Sequence, residues 1–104
     1  MIVTSFFPGR IRLRSPIFKD DEIFEKANKI IQVHASSSVT KIERNCTTGS
    51  ILLEYDTQKL PLKKMEALKD FFLKLNHEAE RYSDRNREKI LSLLDEIFSQ
   101  ANKL

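Results

Sequence analysis

Charged and apolar residues alternate strictly along Arg10-Ile11-Arg12-Leu13-Arg14, the period-two pattern of a half-buried strand. Ile11 and Leu13 then face a core, and the three arginines share the opposite face. Pro8-Gly9 is a turn signal, and Ile2-Val3-Thr4 is β-prone, so the Pro-Gly pair either kinks one long strand or closes a small hairpin. Pro16 marks the strand end. Asp20-Asp21-Glu22 opens a helix, because acids suit the positive end of the helix dipole. Ile23, Ala27, Ile30 and Ile31 follow at helical spacing with Phe24 on the flank. Val39 to Asn45 reads as a second strand crowded by Lys41, Glu43 and Arg44. Thr47-Thr48-Gly49-Ser50 is a turn, and Ile51 to Tyr55 is a third strand antiparallel to the second.

Leu60-Pro61 starts a second helix with the apolar stripe Met65, Leu68, Phe72 and Leu75. The pattern weakens after Asn76. Ser83 and Asp84 are both good caps for a third helix over about 84–102, whose stripe is Ile90, Leu94, Ile97 and Ala101. The order is strand, helix, strand, strand, helix, helix. The expected fold class is α+β: a ferredoxin-like two-layer sandwich (βαββα) whose fourth strand is replaced by the extra C-terminal helix. The whole chain, 1–104, reads as a single domain with its core over about 8–75. Helices cover one sheet face in such a sandwich. The open face holds Arg10, Arg12 and Arg14 with Lys41, Glu43, Asn45, Leu52 and Glu54.

Composition narrows this further. With 104 residues, 40% hydrophobic and 32% charged, there is material for one modest core. The single cysteine excludes an internal disulfide and every multi-cysteine zinc site. No apolar stretch approaches the roughly 20 residues of a membrane-spanning helix, no basic leader precedes an apolar block, and a cytoplasmic setting is the expectation. The net charge of +3 is uneven: residues 1–19 hold four basic residues and no acid, so the remainder carries −1. An anionic partner should therefore meet the N-terminal segment.

Gly9-Arg10-Ile11-Arg12-Leu13-Arg14, the acid-started helix, and Thr48-Gly49-Ser50-Ile51-Leu52-Leu53-Glu54-Tyr55-Asp56 together resemble the divergent heavy-metal-associated domains. Familiar members are copper chaperones and the N-terminal domains of metal-transporting P-type ATPases, which carry a Cys-x-x-Cys loop between the first strand and first helix. Here that loop is Ser15-Pro16-Ile17-Phe18-Lys19, without cysteine, so no copper function carries over. The chain is most similar to the arginine-rich variant of this domain, which occurs with P-type ATPases and in gene clusters linked to ferrosomes. The resemblance covers roughly residues 8–60. It implies a non-enzymatic accessory or regulatory role in handling metal, with iron the expected one, beside a P-type ATPase.

The side chains set their own limits. His34, His77 and Cys46 are far apart in sequence, no His-x3-His or Glu-x-x-His pair is present, and no metal site or cofactor is expected. Nor does a nucleophile with a base or a phosphate-binding loop appear, so no catalytic residue is expected. Arginine is a donor only and grips carboxylates or phosphates bidentately. Arg10, Arg12 and Arg14, with Lys41, are therefore the expected anion- or partner-binding residues. The expected partner is an acidic protein surface such as a P-type metal ATPase, or the membrane periphery. The plainer reading is a solvated face in which Glu43 and Glu54 pair with the row. RNA binding is disfavoured because the candidate strands show no aromatic residue on the open face for base stacking, and Phe6 and Phe7 serve as platforms only if the N-terminus folds over the sheet. A homo-oligomer formed through the sheet or the last helix is a third reading.

Overall fold

A computed structural model describes residues 1–104. Strand β1 (Ile2–Phe7) turns at Pro8-Gly9 into β2 (Arg10–Arg14). A short 3₁₀ turn (Pro16–Lys19) leads into helix α1 (Asp21–His34). Strands β3 (Val39–Asn45) and β4 (Ser50–Tyr55) form a hairpin, followed by α2 (Leu62–Ala67), α3 (Lys69–Glu80) and α4 (Arg87–Asn102).

The four strands make one antiparallel sheet in the order β1-β2-β4-β3. The α+β class is as the alternation implied, and one expectation is corrected. The sheet does have a fourth strand, and it comes from the N-terminus rather than being replaced by a helix. Pro8-Gly9 closes a hairpin: Gly9 has φ 82°, its carbonyl accepts from Tyr55 N at 2.9 Å, and this geometry suits a residue without Cβ. β1 therefore lies along the free edge of β2. A one-residue irregularity between Val3 and Ser5 shifts the register beyond it and reverses which side chains face which side.

The second glycine explains why the Thr-Gly-Ser turn accompanies the arginine strand. Gly49 (φ 70°) accepts from Ser15 N at 2.8 Å, and a Cβ there would stand 2.6 Å from the Ser15 carbonyl oxygen. The β3–β4 turn is thus pressed against the chain leaving β2.

Asp20 caps α1, accepting from the backbone N–H of Glu22 and Ile23 at 3.1 and 3.2 Å, which satisfies two donors with no partner inside the helix. The apolar stripe of α4 is fully used: Ile90, Leu91, Leu93, Leu94, Ile97 and Ala101 are all buried. This helix, expected as an addition to a core ending near residue 75, belongs to the main buried cluster with Ile17, Phe18, Ile23, Ile51, Leu68, Leu75 and Ala79. It begins at Arg87, not at Ser83 or Asp84. Ser83 to Asn86 instead form a turn in which Asn86 Oδ1 accepts from Ser83 N and Asn86 Nδ2 donates to the Glu78 carbonyl.

The second predicted helix is two helices, broken at Leu68 (φ −98°, ψ 4°). Helical structure continues past Asn76 to Glu80. The stripe is only half covered: Leu68 and Leu75 are buried, whereas Met65 and Phe72 remain 44% and 38% exposed. α3 instead turns Leu75, Glu78 and Ala79 inward. Periodicity locates an apolar face but not the neighbour that covers it.

Candidate functional site: an arginine row on the open sheet face

The register assembles the open face in three rows. Arg10 stands opposite Glu54, which stands opposite Lys41; Arg12, Leu52 and Glu43 form the next row, and Arg14, Ser50 and Asn45 the third. Partners across an antiparallel ladder share a face, so the three guanidinium groups lie in one column along β2. All three residues are exposed, while Ile11 and Leu13 between them are half-buried. Leu52, on the same face, is buried beneath this charged layer.

Among the four expected site residues, Lys41 behaves differently. Its ammonium pairs with Glu43 on its own strand at 3.0 Å. That hydrogen bond, then the charges of Glu43 and Glu54, raise its pKa above the usual lysine range. Glu43 is thereby engaged, and Arg10, Arg12 and Arg14 form no ion pair within 4.0 Å. Neighbouring strands are roughly 4.8 Å apart, so Lys41, two strands from Arg10 with Glu54 between, borders the row and does not extend it. The expected exchange of charge between the row and Glu43 is replaced by the Lys41–Glu43 pair.

A fourth arginine has a different fate. Arg44 pairs with Ile51 in the register and so points to the helix side. There it donates Nε–H to the Phe18 carbonyl at 2.7 Å, meets Asp21 at 2.8 Å and lies over the Phe24 ring at 4.8 Å. Three arginines therefore face solvent and one locks the sheet to the start of α1.

Of the two conditional aromatic platforms, Phe6 and Phe7, the hairpin brings Phe7 to the row. Because of the irregularity near Thr4, Phe7 pairs with Arg10 and Ser5 with Arg12. Phe7, 63% exposed, thus flanks the row on the open face.

The metal-ligand candidates stay apart. His34 ends α1 and packs edge-on against Phe98 with ring centroids 5.3 Å apart. His77 lies exposed on α3 beside Arg81, and Cys46 is exposed in the β3–β4 turn. No group of three or more His, Cys, Asp or Glu side chains is arranged to hold a metal ion. Where the resemblance locates a metal loop, Ser15 caps a 3₁₀ turn by accepting from Ile17 N at 3.3 Å, and Ile17 and Phe18 are buried. That donor set does not fit a soft metal. No helix is long and apolar enough to cross a membrane.

A second polar centre lies away from the sheet. Asp20 accepts from Arg87 Nε at 2.7 Å, Arg87 Nη2 at 3.2 Å and Tyr82 Oη at 2.9 Å. Arg87 also reaches Glu22 at 2.7 Å. The Arg87 hydrogen bonds hold the Asp20 carboxyl well below its usual range, at about 2, with Tyr82 and the Ile23 N–H acting in the same direction against burial. Arg87 Nε and Nη2 and the Tyr82 hydroxyl all donate inside the fold, so this centre is a clamp between the starts of α1 and α4.

The heavy metal associated domain 2 family matches the chain over residues 1–104. No curated protein and no solved structure matches it.

Proposed function

The chain belongs to the heavy metal associated domain 2 family, and from that membership we propose a non-enzymatic accessory or regulatory domain in metal handling, for iron, beside a P-type ATPase. We read β2, α1, β3 and β4 as a ferredoxin-like core in which β1 takes the edge seat of the fourth strand. The domain acts through recognition and does not carry the metal itself. Arg10, Arg12 and Arg14 are its docking surface, with Lys41 at the margin, and the partner is an acidic protein surface such as the cytoplasmic part of the ATPase.

The observation that carries this reading is the column of three exposed guanidinium groups with no internal carboxylate partner. Fixed guanidinium forks recognise carboxylates bidentately. A cluster of one sign also accelerates encounter with a surface of the other. The test is the triple variant Arg10→Gln, Arg12→Gln, Arg14→Gln, titrated against the soluble cytoplasmic domains of a P-type metal ATPase from the same organism. Binding should fall at least tenfold and lose most of its salt dependence, with folding intact by circular dichroism. Unaltered binding by a folded variant removes the docking role.

Phe7 beside Arg10 supports one rival, single-stranded RNA, since an aromatic face next to guanidinium groups is a base-stacking platform. A titration with single-stranded RNA at low and high salt separates the two: tight, steeply salt-dependent binding that Phe7→Ala weakens would replace the protein partner with nucleic acid.

A further inference from the structure

Between the helix-facing side of the sheet and the helices lies a cavity of about 540 Å³. Its lining comes from Ile11 and Leu53 of the sheet, Ile30 of α1, Leu68 between α2 and α3, Phe72 of α3 and Leu94 of α4, among others. It is open to solvent past Phe6 and Met65, which are 62% and 44% exposed. No acidic residue contributes to the wall.

Lys64 and His34 are the nitrogen-bearing side chains that interrupt the apolar lining. Lys64 lines the cavity, half-buried, and has no carboxylate within 4.0 Å. His34 lines it too, and its Nε2 is buried with no hydrogen-bond partner. Ser38, also in the wall, is satisfied by its bond to the Ala35 carbonyl.

We propose that this cavity binds a long-chain fatty acid, with the chain between sheet and helices and the carboxylate at Lys64. Two considerations point to that occupant. The wall is almost wholly apolar, so water finds too few partners against it and an acyl chain gains by covering it. The volume, about 540 Å³, lies within the usual range for pockets that hold a small molecule. The Lys64 ammonium, without a carboxylate partner on an acid-free wall, then selects an anionic head.

The test is fluorescence titration of the full chain with cis-parinaric acid, followed by displacement with palmitate. Saturable one-to-one brightening and displacement at micromolar palmitate are expected. Lysophosphatidylcholine with the same acyl chain, which has no net charge, should displace at least threefold more weakly. Phe72→Glu, at an exposed position, should weaken palmitate more than tenfold. Lys64→Glu should weaken it three- to tenfold and abolish the preference over the lysolipid. The Arg10, Arg12, Arg14 triple Gln variant should bind palmitate as the parent does, which keeps this outcome separate from the docking reading. Absence of saturable brightening, displacement insensitive to Phe72→Glu in a folded variant, or equal affinity for acid and lysolipid overturns the proposal. So does a concentration-dependent dimer that excludes parinarate.

Discussion

Two apolar surfaces of this molecule are written in the same residue types and end in different states. On α4, Ile90 and Ile97 are 0% exposed and Ala101 is 1% exposed. On the helix-facing side of the sheet, Ile11, Leu13 and Leu53 are only half-buried, and Phe6 projects past them. The helical side closes because three amphipathic helices meet, with α4 against both α1 and α3 and the Asp20–Arg87 clamp at one end. The sheet side has one neighbour, the helical layer, and α2 and α3 pass it without filling the space. The contrast teaches where stability and binding reside: the helices supply most of the sealed core, while the sheet, held by ladder hydrogen bonds and two hairpins, contributes Ile51 to it and leaves its other helix-facing apolar positions partly open.

The largest expected effect sets the two surfaces directly against each other. Ile97→Ala removes a side chain with no exposed area and should cost about 2–5 kcal/mol of unfolding free energy. Phe6→Ala deletes a larger side chain that is already in solvent and should cost less than about 1 kcal/mol. Urea unfolding of both variants measures the difference. Equal losses would mean that the sheet side is as closed as the helical one.

Gly49→Ala asks whether the sheet's hairpins are as constrained as the helices. The positive φ disfavours any Cβ, and this one would also meet the Ser15 carbonyl oxygen at 2.6 Å. A loss near the upper end of the 1–3 kcal/mol typical of strained backbone follows. A loss below about 0.5 kcal/mol would show that the turn can move away from Ser15.

Asp20→Asn tests the clamp that closes the helical side. The folded-state pKa of Asp20 lies at about 2 against an ordinary value of 3.8. Since the folded value is the lower, ionised Asp20 favours the folded state, by about 2 kcal/mol at neutral pH. That contribution is complete above the unfolded value and disappears as pH falls from about 4 through 2. Unfolding midpoints of parent and variant should therefore differ at pH 7 and converge near pH 2. A difference that does not change with pH would assign the effect to packing and not to the charge.

The sequence-level reading succeeded where the determinants are local. The alternation in β2 separates Arg10, Arg12 and Arg14 from Ile11 and Leu13, and the periodicity of α4 picks out the residues it buries. It stopped where pairing across the chain decides. The β-prone start could be recognised, but its place on the edge of β2 depends on a hairpin register that composition does not specify. One extra residue near Thr4 makes Phe7, and not Phe6, the neighbour of Arg10. With Lys41, Glu43 and Asn45 on the open face, parity already puts Arg44 on the other, but its partners Phe18, Asp21 and Phe24 depend on how α1 packs against the sheet. Asp20 was legible as a helix start but not as the partner of Arg87, 67 positions away. Met65 and Phe72 are legible as part of an apolar stripe, and only the geometry reveals that this face borders a cavity.

The smallest expected effect on stability belongs to the arginine row, and its size decides what the row is for. Side chains two residues apart on one strand face are about 7 Å apart. Two like charges at that distance repel by roughly 0.6 kcal/mol in water, and less at physiological salt, where the Debye length is about 8 Å. Attraction to Glu54 across the ladder is of similar size and opposite sign. Changing Arg10, Arg12 and Arg14 together to Gln should therefore move the unfolding free energy by no more than about 0.5 kcal/mol, with the change shrinking as salt is added. A loss above about 1.5 kcal/mol would mean that the guanidinium groups hold the sheet together, and their display on the open face would then be a by-product of folding. A near-zero change leaves binding as the property these side chains serve, because nothing in the folded chain depends on their charge.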